Sequence, residues 1–330
     1  VIFKHRILYV LVALIIIAGC GMSKEKKPSL EHFDELFTGS GADIEKNLSA
    51  LLPEAQALEN KSIYLQILSQ IALAQAMQQK FTQAHETLDK AELLLTPEYD
   101  LARVRILLER GRVYHQTGDI DKALPLFMQS YELSAQRGFD FHSANAAHMI
   151  AIVEKRPEDK IKWNEKAIEL ARASKDARAQ GWLGALFNNL AQAYIQSEDY
   201  DKALSAFEQC KKYGEERGDA IVVRGSRWGI GRALRSLGRL EEALAIQQAV
   251  LAEYEEMAQK GALPHEIVVV GRGMVCEELA EIHLAFMHHY AALAYQDLSQ
   301  NDWFIKLEPA RLEKMKQIMG VIAKGVGKHS

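Results

Sequence analysis

The chain has 330 residues, of which 25% are charged and 48% hydrophobic, and its formal net charge is -4. Abundant Ala, Leu, Glu, Gln and Lys beside only seven prolines favour long helices over a turn-rich β architecture. The acidic balance disfavours a nucleic-acid partner.

The first segment, VIFKHRILYVLVALIIIAGC, sets Lys4, His5 and Arg6 ahead of an uncharged run from Ile7 to Ile17. That order is the outline of a secretory signal. The run has 11 residues, or 16 if extended to Met22, short of the roughly 17 to 25 that a spanning helix needs; a transmembrane anchor is the alternative reading. Ile17-Ala18-Gly19-Cys20 resembles the bacterial lipobox, in which small residues fit the signal peptidase and the cysteine thiol is diacylated. The resemblance implies a signal peptide over residues 1–19, lipidation of Cys20 and, because Gly21 replaces the aspartate of inner-membrane retention, an outer-membrane anchor facing the periplasm. Loss of Lys4 and Arg6 with the signal would leave 38 basic against 44 acidic side chains, a net of -6. Two or three acyl chains hold a protein on a bilayer firmly, so the body need not touch lipid. Residues 20–28, with GMSKEKK at Gly21–Lys27, have the composition of a flexible tether.

Ser29–Phe37 and Asp43–Asn60, divided by the GSG at Gly39–Gly41 and interrupted by Pro53, read as cap helices within residues 29–60. A periodic pattern follows over residues 61–300. A faint copy at Ala72, Phe81, Ala84, Leu88 and Ala91 precedes a fuller one at Gly111, Tyr114, Gly118, Asp119, Ile120, Ala123, Phe127 and Ser130. The clearest copy is NNLAQAYIQSEDYDKALSAFEQC, Asn188 to Cys210, and another spans Gly231, Leu234, Gly238, Leu240, Ala243 and Val250. Small residues such as Ala191 and Ala203 let two antiparallel helices approach, while Tyr194, Tyr200 and Phe207 fill the space beside the contact. The marker alanines Ala84, Ala123, Ala203 and Ala243 are 39, 80 and 40 residues apart, so the long gap predicts a hidden unit. It falls on Ala147 and Ile150 for the first helix, Pro157 at the turn, and Asn164 and Ala167 for the second. A sixth, degenerate unit would use Glu277–Met287 and His288–Ser299, and Arg311–Val321 reads as a C-terminal cap helix within residues 301–330.

These residues resemble the tetratricopeptide repeat, and several runs (LLERGRVY, SANAAHMIAIVE, GWLGALFNNL, RALRSLGRLEEALAIQ) resemble bacterial lipoproteins built from it. The resemblance implies an all-α, right-handed α-solenoid of about six helix pairs, extended to a period near 40, that binds proteins and catalyses nothing. In such repeats the first helix of each pair lines a concave face. Setting Gly111, Ala147, Ala191 and Gly231 at one template position puts Arg105, Arg112, His115, His148, Asn188, Gln192, Trp228, Arg232 and Arg235 on it. Four arginines and no acid occupy those positions. Arginine forks suit carboxylates and tryptophan offers an apolar anchor, so an acidic or C-terminal peptide is the expected ligand, the arginines being free of the helix packing. The alternative is that they solvate the wall or pair with Glu109 and its neighbours. The carboxylate clamp of chaperone-binding members is matched only loosely, since its lysine and asparagine order is not reproduced.

Other motifs carry less. IVVVGRGMVCEELAEIHLAF, from Ile267, imitates a nucleotide fingerprint at Gly271 and Gly273 but lacks a later strand, and reads as a loop opening the sixth unit. His283, His288 and His289 beside Glu277, Glu278 and Glu281 lack the zincin spacing, and no metal or cofactor is expected. Cys210 and Cys276 would meet an oxidising compartment, yet both read as buried thiols too far apart to pair. The resulting expectation is a membrane-anchored adaptor and not an enzyme. The alternatives are an accessory activator of a cell-wall or secretion enzyme, or a metal-binding protein.

Overall fold

A recurrent helix stop organises the chain. At Gly118, φ is 86°, the Asp119 amide donates to the Tyr114 carbonyl at 2.8 Å and the Gly118 amide to the His115 carbonyl at 3.1 Å. This left-handed stop satisfies carbonyls that a helix end leaves without donors. It recurs at Gly138, Gly218 and Gly238, and at Gln79 and Glu198 it is made without glycine, each with φ of 61°.

The computed structural model describes residues 29–299 and 309–326. A 3-10 turn (Phe33–Leu36) and the short helices α1 (Gly41–Ser49) and α2 (Leu52–Ala57) come first. Paired helices follow: α3 (Ser62–Met77) with α4 (Phe81–Leu93), α5 (Asp100–Thr117) with α6 (Ile120–Arg137), and α7 (Asp140–Val153) with α8 (Pro157–Ala173). After a short helix, α9 (Ala177–Gly181), come α10 (Leu183–Gln196) with α11 (Tyr200–Arg217), α12 (Ala220–Ser236) with α13 (Leu240–Lys260), then α14 (His265–Leu298) and α15 (Pro309–Val326). No strand forms among the described residues. The chain is thus an all-α stack of tetratricopeptide-like helix pairs, divided into two compact units that meet in sequence between Ser226 and Arg227. The signal segment, Cys20 and the tether lie outside the described residues.

In the first unit, α1 opens with a capping box: the Asp43 amide donates to Ser40 Oγ at 3.2 Å and the Ser40 amide to Asp43 Oδ2 at 3.3 Å. The helix then buries Ile44 and Leu48 in the core shared with α3. Close approach of paired helices is set by small residues on the first helix. A side chain on Gly111 of α5 would meet the fully buried Phe127 ring of α6, so the absence of a Cβ sets how near these helices lie. Helix α7 is buried from His142 to Ile150, its alanines admitting neighbours on every side.

In the second unit, α13 packs on α14 and α14 on α15. Three expectations are corrected here. The break between Glu277–Met287 and His288–Ser299 is absent, because no proline or left-handed residue interrupts His265–Leu298. The loop expected at Ile267–Gly273 is helix as well. Gly271 serves close packing there, since a Cβ would collide with the Tyr254 ring. Cys276 is exposed on this helix, not buried, whereas Cys210 is buried; both are free. Cys210 Sγ donates to the Gly184 carbonyl at 3.2 Å, and burial together with the Asp219 charge pushes the thiol up to about 12.

Candidate functional site

Helix α3 packs on α5, and α5 on α7, so polar residues on these first helices meet across narrow seams. Arg105 projects from α5 with 4% of its surface exposed, and a buried guanidinium demands a paired acceptor. The acceptor is Asp34 from the 3-10 turn: Arg105 Nη1 and Nη2 donate to the two carboxylate oxygens at 2.7 and 2.6 Å. Arg178, carried by α9, adds Nη1 to Asp34 Oδ2 at 3.0 Å and holds Asp176 with Nη2 at 2.7 Å. Burial alone would raise the Asp34 carboxyl, but the Arg105 hydrogen bonds and charge, with help from Arg178, hold it below the usual carboxylate range. Each guanidinium also faces an aromatic ring, Arg105 over Phe33 at 5.3 Å and Arg178 over Phe141 at 4.7 Å. Beside this cluster lies a cavity of about 300 Å³ whose walls include Gln66, Phe139 and His142.

One turn further along α5, the fully buried Glu109 accepts two bonds from Arg112 Nη1 at 2.9 Å. Burial raises the Glu109 carboxyl despite the Arg112 charge. Arg112 Nη2 also donates to Asn145 Oδ1 of α7 at 2.6 Å. His148 Nδ1 lies 3.3 Å from Asn189 Nδ2, with its ring edge-on to Trp182. Burial, and then the Arg112 charge, pushes His148 down to about 3; burial, Arg105 and Arg178 do the same to His142. Both imidazoles are therefore neutral near pH 7.

The expected wall residues thus divide. Arg105, Arg112, His115, His148, Asn188 and Gln192 belong to the first unit, all buried or half-buried. Asn188 lines a separate small cavity beside Cys210 and Val222. Trp228, Arg232 and Arg235 sit in the second unit, where Arg235 Nε donates to the buried Glu278 at 2.9 Å and Arg232 approaches it at 3.7 Å. Trp228 Nε1 donates to the Met274 carbonyl at 3.3 Å and its own carbonyl accepts from Gln247 at 2.9 Å. The expectation that these residues are free of the helix packing is corrected: the pairing of Arg112 with Glu109 and the ties from α12 to α13 and α14 use them structurally. Sequence reasoning missed Asp34, His142 and Arg178, and weighed Glu278 only for a metal site and not as the partner of Arg235. Asp34 and Arg178 belong to elements outside the repeat, so no template position could flag them.

Among the described residues no cluster of His, Cys, Asp and Glu could hold a metal ion, and no helix is long and apolar enough to cross a membrane.

The stacked helix pairs define a tetratricopeptide-like fold. Residues 104–137 and 185–213 match one tetratricopeptide repeat family and residues 229–259 another. No curated protein sequence matches. Among solved structures the chain is similar to BtubC (BKLC) of P. vanneervenii, with a TM-score of 0.56 and 17% identity over 69% of this chain and 95% of that one. It is similar to the tetratricopeptide repeat sensor protein of the STAND (signal transduction ATPase with numerous domains) class from Pyrococcus horikoshii, with a TM-score of 0.59 and 12% identity over 90% of this chain and 43% of that one. Nearly identical TPR-like repeats assigned to a Podosopora anserina kinesin light chain give a TM-score of 0.50 and 19% identity over 59% of this chain and 96% of that one.

Proposed function

We propose that the chain is a lipid-anchored adaptor of the cell envelope whose repeat wall takes an acidic or C-terminal segment of a partner protein. Tetratricopeptide stacks build extended interaction surfaces, which supports a binding role and no reaction. Anchoring through Cys20, at the outer membrane, is supported by the basic, apolar and small-residue order of Lys4 to Cys20. The observation that carries peptide recognition is the Arg105 fork closed on a carboxylate that comes from outside the repeats, since bidentate guanidinium pairing is selective for that group.

Two experiments test the proposal. Labelling with a fatty-acid analogue is expected to mark the wild type and not Cys20→Ala; equal labelling would remove the anchor. A panel of acidic dodecapeptides, with free or amidated C-termini, is expected to bind the wild type in a salt-sensitive way. The variant Arg105→Gln, which removes the fork but keeps a hydrogen-bonding side chain, should bind at least tenfold more weakly at unchanged helicity. Unchanged affinity would move recognition off this wall.

A further inference from the structure

We infer that the segment carrying Phe33 and Asp34 is an internal occupant of the Arg105–Arg178 seat, standing in for a partner peptide in which an aromatic residue directly precedes an acidic one. The inference rests on the adaptor reading above and adds the ligand's motif and its mode of entry. Asp34 reaches its partners from 71 and 144 residues away in sequence, out of a four-residue turn that belongs to no repeat. It presents the two groups the seat is built to read: a carboxylate in the fork, and a ring against the Arg105 guanidinium.

The occupant does not saturate the seat. Arg105 Nε and His142 Nδ1, both on buried side chains that line the cavity, have no hydrogen-bond partner. A buried polar atom without a partner costs free energy, so an ion pair selected for stability alone would have closed them. The two side chains belong to residues that line about 300 Å³ of space, room for an occupant larger than one aspartate. The Asp34 side chain also keeps 34% of its surface exposed while that of Arg105 keeps 5%, so a competing carboxylate can reach the fork from the outer side. The segment is fastened mainly by Phe33 and Leu36 in the core around α1 and α3. A ligand that brings its own aromatic residue replaces part of what those contacts contribute. Recognition and release of residues 33–36 are then one event.

The test uses the full chain and a synthetic copy of residues 29–38, SLEHFDELFT, as the probe. Fluorescence anisotropy should find the peptide bound at least tenfold more tightly by Asp34→Asn than by the wild type, whose own segment competes. The same peptide carrying Asp34→Asn should not bind, and Arg178→Gln added to the Asp34→Asn protein should abolish binding. Equal affinity of wild type and Asp34→Asn, or equal binding of the amide peptide, overturns internal occupancy. Should Asp34→Asn melt too low for assay, hydrogen exchange on the wild type decides: peptide must accelerate exchange over residues 33–36, and unchanged exchange overturns the inference. If the acidic panel binds wild type and Asp34→Asn alike, the adaptor reading stands and only the internal occupant falls. If no acidic peptide binds either protein, both fall.

Discussion

Gly111→Ala tests the packing rule on which the repeats rest. A Cβ at residue 111 would lie 2.5, 2.8 and 3.0 Å from three atoms of the Phe127 ring, and that ring is fully buried, so it cannot swing aside into solvent. Overpacking of a closed core costs roughly 1–3 kcal/mol. Alanine in a helix interior recovers about 1 kcal/mol relative to glycine, and with a clash this short the cost prevails, leaving a net loss of up to about 2 kcal/mol. Gly225→Ala in α12 is the matched control. No atom lies within 4 Å of its added Cβ, so it should gain up to about 1 kcal/mol by the same propensity term. Urea midpoints at constant slope measure both, and Gly111→Ala/Phe127→Leu should recover part of the loss non-additively because the two residues touch. A Gly111→Ala protein as stable as the wild type would refute the claim that the missing Cβ sets this helix spacing.

At the α10–α11 turn, Glu198→Gly should stabilise the protein by about 0.5–1 kcal/mol, since it removes a left-handed strain of about 1–2 kcal/mol at φ 61° while adding unfolded-chain entropy; a lowered midpoint would contradict this. Arg235→Ala leaves Glu278 buried with its main partner gone and should cost about 1–3 kcal/mol in urea titration; a cost below measurement error would return Arg235 to the class of residues free of the packing. For His142 and His148, the folded pKa of about 3 lies below the unfolded value near 6.5. The unfolded state therefore binds the extra protons: this stability is full above pH 6.5 and is lost as pH falls toward 3, at up to about 1.4 kcal/mol per pH unit per residue. Glu109, whose folded pKa is raised, works in the opposite direction, so the His contribution is isolated as the difference between wild type and His148→Gln across pH 4.5–7.5. Parallel curves for the two proteins would refute it.

Much of the fold was legible because one physical constraint recurs at fixed spacing. The small residue of a first helix faces a large one 16 positions on, as Gly111 faces Phe127 and Gly231 faces Gln247, so the pattern survives loss of the other template residues. The early start and the continuity of helix α14 were not legible. Glycine signals both a break and a close approach, and only the Tyr254 ring over Gly271 tells which. Of the site, the inward arginines could be read from their register on the first helices. Their partners could not: Asp34 and Glu278 lie 71 and 43 residues away on elements with no shared period, and α9 enters between repeats where nothing marks it.

The origin of each partner separates the arginines by role. Glu109 lies three residues from Arg112 on the same helix, so that pair forms whenever α5 does, and its buried carboxylate is part of the seam with α7. Glu278 has 8% of its side chain exposed and ties α14 to α12; withdrawing it would open the second unit. Asp34 differs on both counts. Its side chain is a third exposed, and the four-residue turn that carries it can leave without unpairing any hairpin. Breaking any of these pairs strands a guanidinium, but only at Arg105 can another carboxylate take the vacated place from solvent, which makes it the exchangeable member of the set.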